Sequence, residues 1–165
     1  MAARSNPVQA AVKTVVITHT FDAPRALVFE AWTRPEHMKH WFGPDGFTIP
    51  VCEMDFRVGG IVTICMRSPE GEEFWSKGSF REIVVPERLV FESALLDDQG
   101  KSRFDDHNEI TFEERGGKTI VTVHASVLKL HDPTAAGAIA GMNEGWTQTL
   151  DRLAAYVATL GGIAR

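Results

Sequence analysis

The segment at residues 132–160, DPTAAGAIAGMNEGWTQTLDRLAAYVATL, decides the fold that the sequence predicts. Asp132 can cap the free amides of a first helical turn, and Pro133 suits the first helical position, where no amide donor is needed. Beyond them, large apolar residues recur at spacings of three and four, which places them on one stripe of an α-helix. This stripe consists of Met142, Trp146, Leu150, Leu153, Val157 and Leu160. We therefore predict one long helix that ends at Gly161-Gly162, needs a large apolar surface, and has Trp146 at the centre of the contact.

Three glycines form a second stripe on the predicted helix, at Gly137, Gly141 and Gly145. Each glycine inside a helix costs about 1 kcal/mol relative to alanine, so their regular spacing needs a reason. Charged residues in the same segment exclude a membrane helix-dimer motif. Two explanations remain: a strand backbone packs closely against the helix, which is the simpler one, or space is kept open for something else. We expect four polar residues of the helix to face water: Glu144, Gln148, Asp151 and Arg152.

The composition is that of a globular protein without a nucleic-acid or membrane signature. The chain has 165 residues, 44% of them hydrophobic, which is enough for one domain with a sizeable core. The net charge of −5 gives no electrostatic case for nucleic acid. No run approaches the roughly 18 apolar residues of a membrane span, and the first residues lack a signal-peptide core. Cys52 and Cys65 are interpreted as reduced thiols, so we expect a cytoplasmic protein.

The order of the predicted elements is one strand, two short helices, six strands and the long helix. The first strand covers residues 14–21, and the short helices extend to about residue 42. The six later strands are predicted at residues 47–56, 61–67, 74–84, 88–96, 107–114 and 118–127. Gly116-Gly117 indicates a tight hairpin. A turn at Val58-Gly59 would pair Cys65 with Cys52, whereas a turn at Gly59-Gly60 would pair Cys65 with Met54. We expect a single domain at residues 14–160, a flexible N-terminal tail at 1–13 and a C-terminal tail at 161–165.

An ordered set of short motifs resembles a known family. The motifs are FDAP (21–24), VFEAWT (28–33), WFGP (41–44), DFRVGG (55–60), GSFREI (78–83), PERLVF (86–91) and Gly145-Trp146 with Leu150 and Leu153. Together they resemble the activator of heat-shock-protein-90 ATPase homologue-like family of the START-like (SRPBCC) superfamily. The resemblance implies an α+β helix-grip fold, in which a curved antiparallel sheet wraps around the long C-terminal helix and two short helices follow the first strand. It also implies a cavity between sheet and helix that receives hydrophobic small molecules.

Aromatic and methionine side chains are more numerous than one helix contact requires. Ligand sites are mainly apolar with a few polar groups, and methionine adapts to varied shapes, so we expect a subset of these residues to line the cavity. The candidate ligand-binding residues are Trp32, Trp41, Phe42, Met54, Met66, Phe80, Phe91, Gly141, Met142, Gly145 and Trp146.

The histidines do not form a recognisable catalytic or metal site. His37 and His40 lie one helical turn apart with no completing ligand nearby, which favours two solvated side chains. On the strands, His19, His107 and His124 could bond a polar ligand group if they point inward. We therefore assign no catalytic residue, no metal ligand and no cofactor.

The sequence favours non-catalytic binding of a hydrophobic or amphipathic small molecule. The alternatives are a co-chaperone-like protein-interaction module, or an enzyme of the cyclase or hydrolase kind. The expected partners are accordingly a hydrophobic small molecule or a chaperone, with no nucleic acid and no membrane span. The chain is expected to be a monomer or a homodimer.

Overall fold

The computed structural model describes residues 12–163 and contains a single antiparallel sheet covered by helices on one face. The strands are β1 (Lys13–Phe21), β2 (Thr48–Met54), β3 (Ile61–Arg67), β4 (Glu73–Val84), β5 (Arg88–Leu96), β6 (Ser102–Arg115) and β7 (Lys118–Leu130). The helices are α1 (Arg25–Thr33), α2 (Pro35–Met38), α3 (Ala136–Ala140) and α4 (Met142–Ile163), with a 3₁₀ turn at Pro133–Ala135. Within residues 12–163, none of the helices combines the length and apolarity that crossing a bilayer requires.

The sheet is an antiparallel meander closed at one side by the first strand. The strand order is β1-β7-β6-β5-β4-β3-β2, so only β1 pairs out of chain order. The predicted hairpin at Gly116-Gly117 is confirmed: Arg115 pairs with Lys118, and the two glycines have φ of +60° and +79°. Such positive φ values are accessible to glycine at little cost. With α4 on its inner face, the sheet forms the predicted helix-grip fold.

The apolar stripe of α4 holds the helix on the sheet through its middle and C-terminal turns. Leu150 and Leu153 are fully buried, and Val157 is 2% exposed. They belong to a core that includes Val121 and Val123 of β7. The predicted central role of Trp146 is wrong, because this side chain is only half-buried and stacks on Trp32 with ring centroids 6.1 Å apart.

The segment before α4 is less regular than the sequence predicts. Asp132 caps its start as expected, since its carboxylate accepts a hydrogen bond from the amide of Thr134. The single predicted helix is, however, divided at Gly141, where φ is −88° and ψ is 2°. At the other end, α4 continues through Gly161 and Gly162 to Ile163, because glycine weakens a helix by only about 1 kcal/mol per residue. The ends of the two predicted tails, residues 1–11 and 164–165, lie outside the described residues.

The register between β2 and β3 differs from both predicted alternatives. Cys65 pairs with Val51, and Cys52 pairs with Ile64. The reason is that five residues, 56–60, connect the two strands. The last hydrogen bond before this connection is donated by the amide of Asp55 to the carbonyl of Ile61, at 3.0 Å. Residues 59 and 60 bond to the backbone of β4 and cannot form a tight two-residue turn. Tertiary hydrogen bonding therefore overrides the local turn signal.

On the outer face of the sheet, His107 lies between two carboxylates. Its Nδ1 is 2.9 Å from Glu92 Oε2, and its Nε2 is 3.1 Å from Glu109 Oε2. Burial lowers the pKa of His107, but hydrogen bonds and charge from the two glutamates outweigh burial and raise the pKa above its ordinary value. The imidazolium therefore stabilises the folded state.

We predict that Leu150→Ala lowers the free energy of unfolding by about 2–5 kcal/mol, because it leaves a cavity beneath α4. Leu160→Ala is the matched control, since Leu160 is only half-buried near the end of the same helix. Equilibrium urea unfolding measures both variants. Equal losses would contradict docking through the Leu150 region.

We further predict that His107→Gln destabilises the protein more at pH 6 than at pH 9. The stabilisation from the raised pKa is complete below the unfolded value of about 6.5 and disappears as the pH rises through the folded value. Thermal unfolding at the two pH values measures the difference. His124→Gln, at an exposed position of β7, controls for general effects. A penalty for His107→Gln that is independent of pH would contradict the assignment.

Candidate functional site

A cavity of about 500 Å³ lies between the sheet and the segment that contains α3 and the start of α4. Strands β3 to β6 form its floor, the two helices form one wall, and residues 42–47 contribute a second wall. Three of the lining residues are themselves exposed, so the cavity reaches solvent beside α3: Gly137, Ala138 and Gly141. The lining is mainly apolar and includes Phe42, Phe47, Val62, Ile64, Met66, Phe74, Phe91, Leu95, Phe104, Met142 and Trp146.

The structure brings seven of the eleven candidate residues to this cavity. They are Phe42, Met66, Phe91, Gly141, Met142, Gly145 and Trp146. The other four do not line it: Trp32, Trp41 and Phe80 are buried in the main core, and Met54 packs against that core. Apolar periodicity indicates that a residue faces inward, but it does not distinguish a filled part of the core from an open one. Whether the seven bind a ligand stays a prediction.

The glycine stripe borders open space, which supports the second of the two explanations and excludes close packing against a strand backbone. A Cβ atom added at Gly137 would meet no atom within 4 Å beyond its own helix. At Gly141 its nearest contact would be the carbonyl oxygen of Gly137 at 3.6 Å, and at Gly145 it would be Pro44 Cγ at 3.8 Å. These are ordinary contact distances, and none is to a strand backbone. The absence of side chains along this stripe widens the cavity.

Two polar residues of α4 hold the wall at residues 42–47 in place. Arg152 Nη1 donates to the carbonyl oxygens of Gly43 and Pro44, at 2.9 and 2.7 Å. The side-chain carbonyl of Gln148 accepts from the amide of Asp45 at 3.0 Å. Arg152 and Gln148 are half-buried, and the prediction that they face water is wrong. The sequence could not predict these contacts, because the loop whose carbonyls need donors and the helix that supplies them are about a hundred residues apart.

A polar group interrupts the apolar lining on β5 and β6. Ser93 and Asp106 are directly opposite each other on the two strands. Ser93 Oγ donates to Asp106 Oδ1 at 2.5 Å, and Asn108 Nδ2 donates to the same oxygen at 3.0 Å. All three residues line the cavity. The arrangement places a polar cluster with a carboxylate at its centre on the floor of an apolar cavity.

Burial dominates the ionisation of Asp106. It raises the pKa of the carboxyl to about 6, although the hydrogen bonds from Ser93 and Asn108 act in the opposite direction. Asp106 is half-buried and lines the cavity. The group can accept hydrogen bonds when ionised and donate one when protonated.

Asp106 was missed because the sequence places it in a polar loop before the sixth strand of the sheet. The strand in fact starts at Ser102, and its inward positions read Phe104, Asp106, Asn108, Ile110 and Phe112. Every second residue from Phe112 back to Phe104 faces inward, and this period of two could have extended the predicted strand toward its N-terminal end. It would have identified two polar side chains at positions that face the core.

The histidines lie away from the cavity in the part of the chain that the structure describes. His37 Nδ1 is 2.6 Å from the hydroxyl of Tyr156, and His40 stacks on the same ring. His19 bonds Asp151, whereas His124 is exposed. Between residues 12 and 163, no group of three or more histidine, cysteine or acidic side chains is arranged to hold a metal ion.

Solved structures with the same fold cover most of the chain. A protein from Nitrosomonas europaea is 26% identical, with 90% of this chain and 96% of that chain covered and a TM-score of 0.73. A protein from Chromobacterium violaceum is also 26% identical, with coverages of 87% and 96% and a TM-score of 0.72. The AHSA1 protein from Silicibacter pomeroyi, at 22% identity, coverages of 89% and 99% and a TM-score of 0.75, shows the fold alone. No curated protein matches this chain.

The family is determined by a match that spans nearly the whole domain. The model of the family described as Activator of Hsp90 ATPase homolog 1-like protein matches residues 22–158. This range extends from the end of β1 to the last turns of α4 and contains every residue that lines the cavity. The chain therefore belongs to the family of Activator of Hsp90 ATPase homolog 1-like proteins.

Proposed function

We propose that the protein binds a hydrophobic or amphipathic small molecule, without converting it, in the cavity between the sheet and helices α3 and α4. The observation that supports this is the cavity itself, whose volume of about 500 Å³ falls in the range of roughly 300–1,000 Å³ typical of small-molecule sites. Its apolar lining with a polar cluster on the floor fits an amphipathic molecule. Met66 and Met142, both on the lining, can adapt to different ligand shapes.

The fold tolerates this open volume because separate regions carry stability and binding. Leu150 and Leu153 dock α4 on the sheet, whereas the cavity borders the preceding turns, where Gly141 and Gly145 lie. The glycines cost helix stability by about 1 kcal/mol each. Binding of an apolar molecule would bury the apolar surface of the sheet that the helix leaves uncovered, and this burial would stabilise the complex.

A second candidate function is protein interaction through the surface, as in a co-chaperone. Exposed apolar side chains are present at the end of the sheet where β2 connects to β3 and β4 to β5, including Val58 and Val85, which are 60% and 64% exposed. Phe56 and Val85 also line a shallow depression beside α1. Exposed apolar patches of this kind occur at protein-interaction sites. Cytoplasmic location and oligomeric state stay predictions under either function.

We predict that Gly145→Ala raises the free energy of unfolding by up to about 1 kcal/mol, because it improves helix propensity without a clash. It should also weaken binding of N-phenyl-1-naphthylamine, a neutral fluorescent probe, because the methyl group enters the cavity. The contrasting variant is Gly78→Ala, whose Cβ would lie 2.1 Å from the carbonyl oxygen of Glu92 and should destabilise the sheet. A comparable loss of stability in both variants would contradict open space at Gly145.

The proposed function is tested most directly by closing the cavity. Gly137→Phe places a large side chain at its exposed rim, where an added Cβ meets no neighbour, so the fold should persist while probe affinity falls at least about tenfold. Ala136→Phe is the control, because Ala136 is exposed on the same helix but does not line the cavity. Fluorescence titration measures both. No probe binding by the wild type, or equal binding by both variants, would contradict the proposal and favour surface interaction.

A further inference from the structure

Asp106 has no positively charged partner in the described part of the chain. Its side-chain partners are the hydroxyl of Ser93 and the amide of Asn108, both neutral, and both donate to Oδ1. The backbone of Ser93 also hydrogen-bonds the carboxyl, and it too is neutral. The second oxygen, Oδ2, accepts no hydrogen bond from a side chain between residues 12 and 163. Buried carboxylates are normally paired with a cation or fully hydrogen-bonded, because removing a charge from water is costly. This carboxylate therefore has capacity for one more donor, and preferably a cationic one.

The contribution of Asp106 to folding does not account for its presence. Burial raises its pKa despite the hydrogen bonds from Ser93 and Asn108, which means that the folded state disfavours the ionised form. By contrast, Asp132, which caps the segment before α4, accepts from the hydroxyl and amide of Thr134, which lower its pKa most, and contacts Arg103 Nε at 3.1 Å. An asparagine at position 106 could accept the same two hydrogen bonds without a buried charge. The carboxylate thus fits a binding role better than a structural one.

We propose that the ligand of this cavity is a lipophilic amine, with its apolar body against the aromatic and methionine lining and its protonated amine against Asp106. This inference rests on the proposed binding function and names the chemical class of the ligand. The ammonium group would donate to Oδ2 of Asp106, which accepts no side-chain hydrogen bond, and complete an ion pair within the apolar lining. Ser93 and Asn108 hold Oδ1 and thereby orient the carboxylate toward the ligand.

The rest of the site agrees with a cation and disfavours an anion. A fatty-acid carboxylate at the polar cluster would place two negative charges side by side in an apolar surrounding, which is strongly unfavourable. Phe91 lines the cavity and pairs with Asn108 across the strands, so an aromatic side chain lies next to the polar cluster. Aromatic rings attract ammonium groups. The net charge of −5 also favours the approach of cations over anions.

The experiment compares three ligands with the same ten-carbon chain and different polar ends: decylamine, decanol and decanoate. Each displaces N-phenyl-1-naphthylamine from the wild type at about pH 7.5, where an alkylamine is protonated and Asp106 is ionised. We expect decylamine to bind about 10- to 100-fold more tightly than decanol, the difference that one charged hydrogen bond provides. Decanoate should bind most weakly.

Two matched variants show whether Asp106 causes the preference. Asp106→Asn should remove the preference for decylamine, keep decanol binding within about threefold, and melt at a higher temperature than the wild type at pH 8, since no charge is buried. Asp105→Asn removes the same charge from the adjacent residue, whose carboxylate bonds His131 on the opposite face of β6, and should keep the preference. Its result controls for the net charge of the protein.

The outcomes separate this inference from the proposed function. If the wild type binds decanol and the probe but shows no preference for decylamine, the cavity binds ligands and the inference is overturned. The inference is also overturned if the preference survives in Asp106→Asn or disappears equally in Asp105→Asn. If the wild type binds neither probe nor any of the three ligands, the proposed function fails and the inference fails with it.

Discussion

The contact between the apolar stripe of α4 and the inner face of the sheet is the constraint on which the structure depends. Leu150, Leu153 and Val157 are almost completely buried, so the later turns of the helix cannot move away from the sheet without exposing the core. The preceding turns carry Gly141 and Gly145 in place of large side chains and leave the sheet uncovered there. One helix thus closes the core over part of its length and borders a cavity over the rest.

The cavity keeps its shape because polar contacts fix its walls. Arg152 reaches from α4 to the carbonyl oxygens of Gly43 and Pro44, which holds the loop against the helix. Such charge-assisted hydrogen bonds are stronger than those between neutral groups. An apolar volume of this size would otherwise be lost by collapse of the loop, since close packing is the lower-energy arrangement of a core. A preformed site also binds with a smaller loss of conformational entropy.

Local signals in the sequence predicted the architecture well. The capping by Asp132, the Gly116-Gly117 hairpin and the α4 stripe each depend on neighbours in the chain, and the motif resemblance predicted the helix-grip fold. Features set by distant contacts were missed: the β2–β3 register depends on hydrogen bonds to Phe80, and Arg152 depends on loop carbonyls. The candidate site was recovered in part: two glycines and five large apolar residues line the cavity, whereas four other large apolar candidates belong to the filled core or pack against it. Asp106 was missed because a polar residue beside a predicted loop gives no sign of facing inward.

The central claim is that a small molecule enters the space between Met66 and Met142, and methyl NMR tests it most directly. Both residues line the cavity, whereas Met38 and Met54 lie elsewhere. In protein labelled with carbon-13 at the methionine methyl groups, titration with N-phenyl-1-naphthylamine should shift the Met66 and Met142 signals and leave the Met38 and Met54 signals in place. Shifts confined to Met38 or Met54, or no shift at saturating probe, would contradict a binding site between the sheet and the helix.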